Sequence, residues 1–320
     1  MKDQFNRSIE YMRISITDRC NLNCQYCRPE NSEHLNHSDI LSYEEILRVC
    51  TLAVKLGITK FKITGGEPFV RHNATDFIKE LKNLYGVDAV TVTTNGTLLD
   101  TALVSELVNV GIDGINISLD TMNPQRFAKI TGKNDFDKVI RAIKLCADEG
   151  LNVKVNMVLL PDVTEKEVLD FLEIIKKRPI AVRFIETMPM NKFSMNPGPS
   201  GEYIRTILKE HMIKINKVDL PLGNGPAVYY KPEGYEGYVG FIEAIHGKFC
   251  GSCNRIRLTS TGFIKPCLYH KEGFDIRQLM QNGCDDSLIL QQLRSIIYSK
   301  PLEHDFEKQP AREDMSRIGG

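Results

Sequence analysis

The sequence predicts an α/β protein, an incomplete TIM-like (βα)6 barrel, and three observations lead there. Six short β-branched runs recur through the first 190 residues, helix-spaced stretches alternate with them about five times, and polar residues stand at the carboxyl ends of several runs. The runs Tyr11 to Thr17, Lys60 to Thr64, Ala89 to Thr94, Gly114 to Leu119, Val153 to Leu160 and Ala181 to Ile185 read as strands. Between them, Ser42 to Leu56, Asn73 to Leu84, Thr101 to Val110, Asp135 to Glu149 and Thr164 to Lys177 read as helices, and Ser42 followed by Glu45 is a capping-box pattern. Such alternation builds a parallel sheet, and nearly continuous apolar stretches such as VNMVLL suit strands covered on both faces. Six units are fewer than the eight of a closed barrel. A barrel open along one side is preferred to a flat doubly wound sheet because polar residues sit at strand carboxyl ends, where barrel sites are built.

The alternation stops at Met188 to Gly201, MPMNKFSMNPGPSG, whose Pro, Gly, Ser and Asn content reads as a linker. A boundary near 195 follows, with residues 1–195 forming the barrel and 196–320 a C-terminal unit closing its open side. That unit has a helix around Glu202 to His211, strands at Ala227 to Tyr230 and Tyr238 to Ile245, and a hairpin, RIRLTSTGFIKPCLY, turning at Thr261 and Gly262. Helices near Ile276 to Met280 and Ser287 to Tyr298 precede a polar tail.

A chain of 320 residues buries enough surface to fold without a structural metal, so any metal here serves chemistry. Its 41 basic and 41 acidic residues cancel, which argues against a nucleic-acid coat protein or an anionic-membrane binder. No apolar run approaches the roughly 18 residues of a membrane span, and MKDQFNRSIEYMRIS lacks a signal core. The expected location is the cytoplasm.

Nine cysteines in a reducing compartment point to metal or redox roles. Cys50, Cys146 and Cys284 stand alone among apolar or helical neighbours and read as core fillers. Cys20, Cys24 and Cys27 lie in the loop after the first predicted strand, and Cys250, Cys253 and Cys267 form a second trio. Zinc wants four ligands, and the first trio has only His34 and His37 nearby. An iron-sulfur cluster held by three thiolates leaves one iron open for a substrate or cofactor. For the second trio, with His246 and His270 near in sequence, zinc and iron-sulfur stand equal on spacing alone.

CNLNCQYC resembles the CxxxCxxC signature of the radical S-adenosylmethionine (SAM) enzymes, with Tyr26 as the aromatic residue before the last cysteine. The resemblance implies a 4Fe-4S cluster on Cys20, Cys24 and Cys27 whose open iron chelates SAM, and a 5′-deoxyadenosyl radical made on its reduction. Gly65-Gly66-Glu67-Pro68 then matches the stretch that holds the methionine amino group, and Thr94-Asn95-Gly96, Ser118 and Met188 fall at successive strand ends as cofactor contacts. Singly, each is an ordinary turn or cap residue; their joint order is what carries the resemblance.

Two cysteine trios, Asn254-Arg255-Ile256-Arg257 and Gly319-Gly320 together resemble one branch of that superfamily, the GTP 3′,8-cyclases of molybdenum cofactor biosynthesis, over essentially the whole chain. This implies a lyase with two 4Fe-4S clusters and SAM, acting on GTP. The second cluster would meet the guanine, with Arg13, Lys62, Thr93, Lys154, Arg255 and Arg257 as GTP contacts and Gly319 and Gly320 supporting catalysis. It also implies an electron donor, a cyclic pyranopterin monophosphate synthase downstream and a homodimer. The family pattern has arginine where Lys62 stands, so a bidentate contact becomes a point charge. In NRIRL the two arginines alternate onto one strand face, and basic residues inside MRISI and VKVNM sit where a buried charge needs a partner. For any single arginine a solvated surface charge is the ordinary alternative. Two rival readings are a radical SAM peptide maturase with an auxiliary cluster, which leaves NRIR and Gly-Gly unexplained, and a zinc-binding interaction protein, which needs none of GGEP, TNG and NRIR.

Overall fold

All six predicted barrel strands form in the computed structural model, which describes residues 1–27, 35–190, 193–220, 222–308, 310–311 and 315–319. They are β1 (Tyr11–Ser15), β2 (Lys60–Thr64), β3 (Ala89–Thr94), β4 (Gly114–Ser118), β5 (Val153–Leu159) and β6 (Ala181–Glu186), paired parallel in sequence order. The crossovers are α1 (Tyr43–Lys55), α2 (Ala74–Lys82), α3 (Thr101–Val110), α4 (Pro124–Thr131) with α5 (Phe136–Asp148), and α6 (Glu165–Lys176). Both Ser42 and Thr164 form complete capping boxes, with Glu45 and Glu167 returning a carboxylate to the cap N–H. Helix α4 was not anticipated. Its signals were present, because Asn123 caps it, Pro124 opens it and Gly132 closes it in the left-handed region, but eight residues give too short a periodic pattern to read.

The C-terminal part contributes α7 (Gly201–Glu210), β7 (Ile215–Val218), β8 (Val228–Pro232), β9 (Tyr238–Ile242), β10 (Arg255–Leu258), β11 (Phe263–Lys265), β12 (Phe274–Asp275), α8 (Ile276–Gln281), α9 (Asp286–Tyr298) and α10 (Met315–Ile318). The predicted hairpin is β10 and β11, antiparallel. Rather than forming a sheet of its own, this part extends the barrel sheet at both edges. β10 lies parallel to β1 and β9 parallel to β6, so a run of eight parallel strands is flanked by antiparallel pieces in one twelve-stranded sheet. Among the described residues no pairing joins the two ends, and the barrel stays open.

The period of two decides what each strand face meets. Met12 and Ile14 of β1, Phe61 and Ile63 of β2 and Ile256 and Leu258 of β10 are fully buried in the main core, beneath the helices. The alternate residues Arg13, Lys62, Arg255 and Arg257 point the other way, into the barrel. Cys50 and Cys146 are buried as core fillers; Cys284 is only half-buried.

Because the two capping boxes sit on separate helices, Ser42→Ala and Thr164→Ala should each cost about 1 kcal/mol and add in the double variant. Urea unfolding checks this, and an additive loss of about 2 kcal/mol is expected with the barrel interior unchanged.

Candidate active site

One cavity of about 310 Å³ lies inside the open barrel, and all six clustered cysteines contribute to its wall. The first trio is fixed by the strand ends around it. Gly66 N–H donates to the Thr17 carbonyl at 2.7 Å and Glu67 N–H to the Arg19 carbonyl at 2.8 Å, so the GGEP turn is stitched to the cysteine loop. A Cβ on Gly66 would lie 2.4 Å from the Arg19 oxygen, and only glycine permits that approach. On the far side, the N–H groups of Asn23 and Gln25 donate to the carbonyls of Thr131 and Ile130 at the end of α4. The unanticipated helix is thus part of the support. Cys20 Sγ accepts from Leu22 N–H at 3.4 Å and from Asn95 Nδ2 at 3.7 Å. Tyr26 donates its hydroxyl to Asp120 at 2.6 Å, and Asp120 also accepts from Val158 N–H at 2.9 Å. Burial pushes the Cys24 thiol well up, and the neighbouring Cys27, Asp120 and Cys20 push the same way.

Glu67 is fully buried and binds within the protein, accepting from Thr94 Oγ1 at 2.8 Å, Asn95 N–H at 2.7 Å and Phe69 N–H at 3.2 Å. Burial raises it to about 7 despite those donors. It ties the end of β2 to the end of β3, which places Asn95 against Cys20.

The second trio sits where β10 begins and where β11 ends. Burial pushes the Cys253 thiol up, but Arg255 and Lys300 outweigh it and bring it down to about 6. Arg255 Nη2 lies 3.6 Å from Cys253 Sγ, with its guanidinium 4.8 Å over the Phe249 ring. Among the described residues, neither trio forms a site for a single metal ion. His246 instead meets Glu186 at 2.7 Å and His270 meets the Glu303 carbonyl at 2.9 Å, and neither is in the cavity wall.

Between the trios runs a row of cations. Strand register sets Arg257 beside Arg13 and Arg13 beside Lys62, all facing the cavity. Arg183 on β6 joins them, held by Asn156 at 2.7 Å and Asn116 at 2.8 Å, and Asn116 in turn donates to Thr93 at 3.1 Å. Burial lowers Lys62 well below the ordinary lysine range, and Arg183, Arg13 and Lys154 lower it further. The wall's two carboxylates, Asp120 and Glu186, are engaged elsewhere, with Tyr26 and with His246.

Cys20, Cys24, Tyr26, Cys27, Gly66, Thr93, Ser118 and Met188 all line this cavity, as do Arg13, Lys62, Arg255 and Arg257. Lys154 does not: it shares the sheet face of Asn116 and Asn156 but is buried outside the cavity wall, with its ammonium 2.8 Å from Asn152 Oδ1. Gly319 reaches the barrel, its carbonyl accepting from Arg257 Nη1 at 2.7 Å; at φ +73° and 2.5 Å from Thr64 Oγ1 to its would-be Cβ, no other residue fits. Gly320 lies outside the described residues. Arg183, Asn116, Asn156 and Lys300 were missed by sequence reasoning. Arg183 carried the signal already used for Arg13, a basic residue inside an apolar strand, AVRFIE.

Comparison with known proteins agrees with this geometry. Residues 14–175 match the family model of the radical SAM superfamily, and residues 180–306 match that of molybdenum cofactor synthesis C. The GTP 3′,8-cyclases of Clostridium perfringens (strain SM101 / Type A) and Syntrophomonas wolfei are each 40% identical, over the full length of both chains. That of Geobacter sulfurreducens is 39% identical over 99% of both. Streptococcus suis SuiB bound to S-adenosylmethionine shares the fold at 16% identity with a TM-score of 0.61, over 90% of this chain and 68% of that one. Full-length identity at this level, with both family models in order, shows that the chain belongs to the GTP 3′,8-cyclase family of the radical SAM superfamily.

Proposed function

We propose that this enzyme converts GTP to (8S)-3′,8-cyclo-7,8-dihydroguanosine 5′-triphosphate, the first step of molybdenum cofactor biosynthesis. The observation that carries the reading is one cavity with a cysteine trio at either side and a cation row between them. The peptide-maturase alternative rests on fold likeness alone and is not favoured.

The residues fit the groups this reaction needs. Cys20, with two hydrogen-bond donors on its sulfur, Cys24 and Cys27 would hold one 4Fe-4S cluster. Cys250, Cys253 and Cys267 would hold a second, where Arg255 and Lys300 already favour the Cys253 thiolate. Bound there, the first cluster and SAM would supply a 5′-deoxyadenosyl radical able to take a hydrogen atom from C3′ of GTP; closing C3′ on C8 would leave a nucleotide radical that one electron, from the electron donor, and one proton convert to the dihydro product.

The chain's own task is to bind, orient and exclude water. Tyr26, fixed by Asp120, together with Gly66, Ser118 and Met188 would frame SAM. Arg13, Lys62, Thr93, Arg183, Arg255 and Arg257 would receive the nucleotide, with guanidinium forks suited to phosphate oxygens. Lys154, which does not line the cavity, would act at a distance through its charge. Gly319, with Gly320 after it, would set Arg257. Residues 1–195 would form the radical-generating half and 196–320 the substrate-side half. A low-potential electron donor, a downstream cyclic pyranopterin monophosphate synthase that takes the cyclised nucleotide, and a homodimer complete the proposal. Oxygen-sensitive thiolate chemistry suits the cytoplasm; no helix among the described residues is long and apolar enough to cross a membrane.

Anaerobic turnover with dithionite, SAM and GTP should give GTP-dependent 5′-deoxyadenosine and a product of GTP's own mass. Equal deoxyadenosine with and without GTP, and no nucleotide product, would remove GTP as substrate. Cys24→Ala should abolish deoxyadenosine formation, and wild-type cleavage in that variant would remove the first cluster's assignment. Arg257→Ala should weaken GTP binding about 10- to 100-fold, the scale of a lost charge-assisted contact, while first-site iron is unchanged. Because burial holds Lys62 low, and Lys154 at about 7, an arriving triphosphate favours their charged forms and binding takes up protons. GTP affinity should therefore fall from about pH 7 to about pH 9, above the range where phosphate itself titrates. Calorimetry in buffers of different ionisation enthalpy reads the uptake directly, and Lys62→Met should reduce it.

A further inference from the structure

The segment before β1 and the segment after α9 meet behind the second cysteine trio, where two buried cations gather backbone carbonyls. Arg7 is 7% exposed and uses every N–H of its guanidinium. Nε donates to Asp3 Oδ2 at 2.6 Å, Nη1 to the carbonyls of Cys250 at 2.9 Å and Leu302 at 2.8 Å, and Nη2 to those of Lys300 at 3.3 Å and Pro301 at 2.7 Å. Asp3, itself 5% exposed, also accepts the backbone N–H of Arg7 and of Phe5. Lys300 is 2% exposed, and its ammonium donates to the carbonyls of Arg255, at 2.9 Å, and Pro266. Those acceptors are two residues past Cys253 and one before Cys267. Burial lowers Lys300 from the ordinary lysine range, the thiols of Cys253 and Cys267 act against that, and Arg7 and Arg255 add to it.

A lysine buried this deeply is costly unless an anion answers it, and neutral carbonyls do so only in part. An apolar residue would fill the space without that cost, so the charge itself has a use. The stretch that carries Cys250 and Cys253, the one that carries Cys267 and the segment around Lys300 are separate in sequence, and these two cations bond to all three. We propose that Arg7 and Lys300 are positioning residues for the second cysteine site. Arg7, oriented by Asp3, clamps the Lys300 backbone to Cys250, and Lys300 ties the end of that same cysteine stretch to the stretch that carries Cys267, placing an ammonium group beside the cluster. This rests on the reading that the second trio holds a cluster.

The test isolates that site in the Cys24→Ala background, reconstituted anaerobically in the full-length chain, with iron, sulfide and zinc counted and the reduced signal read by EPR. Adding Lys300→Met or Arg7→Met should weaken retention of the second cluster by about 10- to 100-fold, the scale of lost outer-shell partners of a metal ligand. Lys300→Arg should recover part of it with a shifted potential, and Asp3→Asn, which leaves both cations in place, should give a smaller loss. Unchanged metal content, EPR signal and potential in all four variants would overturn the proposal. So would loss of the first site as well, read as iron in the same substitutions made on Cys250→Ala, because the effect would then be global. Zinc rather than iron in the Cys24→Ala parent would sink the cluster reading, while metal retention in the variants would still report on the clamp.

Discussion

Everything in this barrel is arranged around the cost of keeping several positive charges side by side out of water. Arg257, Arg13 and Lys62 occupy adjacent positions on three neighbouring strands, and Arg183 faces them across the interior. Placing like charges together and burying them are both unfavourable, and the lowering of Lys62 records both effects. Folding elsewhere must carry that cost. The apolar residues that alternate with the cations do so, since Met12, Ile14, Phe61, Ile63, Ile256 and Leu258 are fully buried against the helices. The site is strained electrostatically, and a polyanion placed in the cavity would relieve that strain.

The two cysteine loops are held differently. The first hangs from strand ends and from α4, through backbone hydrogen bonds to the GGEP turn and to Thr131 and Ile130. The second is assembled from segments distant in sequence and braced by side-chain cations. One loop is local and stitched to the sheet, whereas the other depends on the whole chain having closed. Glu67 shows how economical the first arrangement is: one buried carboxylate joins two strand ends and brings Asn95 to the sulfur of Cys20.

Much of this was legible in the sequence because period-two and period-3.6 patterns and cysteine spacing are local signals. The six barrel strands, five of the crossover helices and both cysteine trios were readable within windows of a few residues. What was hidden depends on pairing between distant segments. Nothing in YVGFI or RIRL announces that β9 will pair with β6 and β10 with β1, so the C-terminal part read as a separate closing unit rather than as an extension of the sheet. Helix α4 was lost to its shortness. Arg183 was in plain view inside AVRFIE, and Lys300 was not, because a lone lysine after a helix looks like solvated charge until Arg255 and Pro266 are seen around it.

The pairing of β1 with β10 has a consequence for how the molecule comes together. Strand β1 is made early but its second neighbour begins at Arg255, so closing that contact spans most of the chain and is slow. Until then β1 is a bare edge, the kind of surface on which partly folded chains add to one another. A charge placed on such an edge discourages mispairing, and β1 carries Arg13 at its centre while β10 brings Arg255 and Arg257. The arginines that face the cavity in the finished barrel therefore also guard the seam against aggregation while it waits to be sewn.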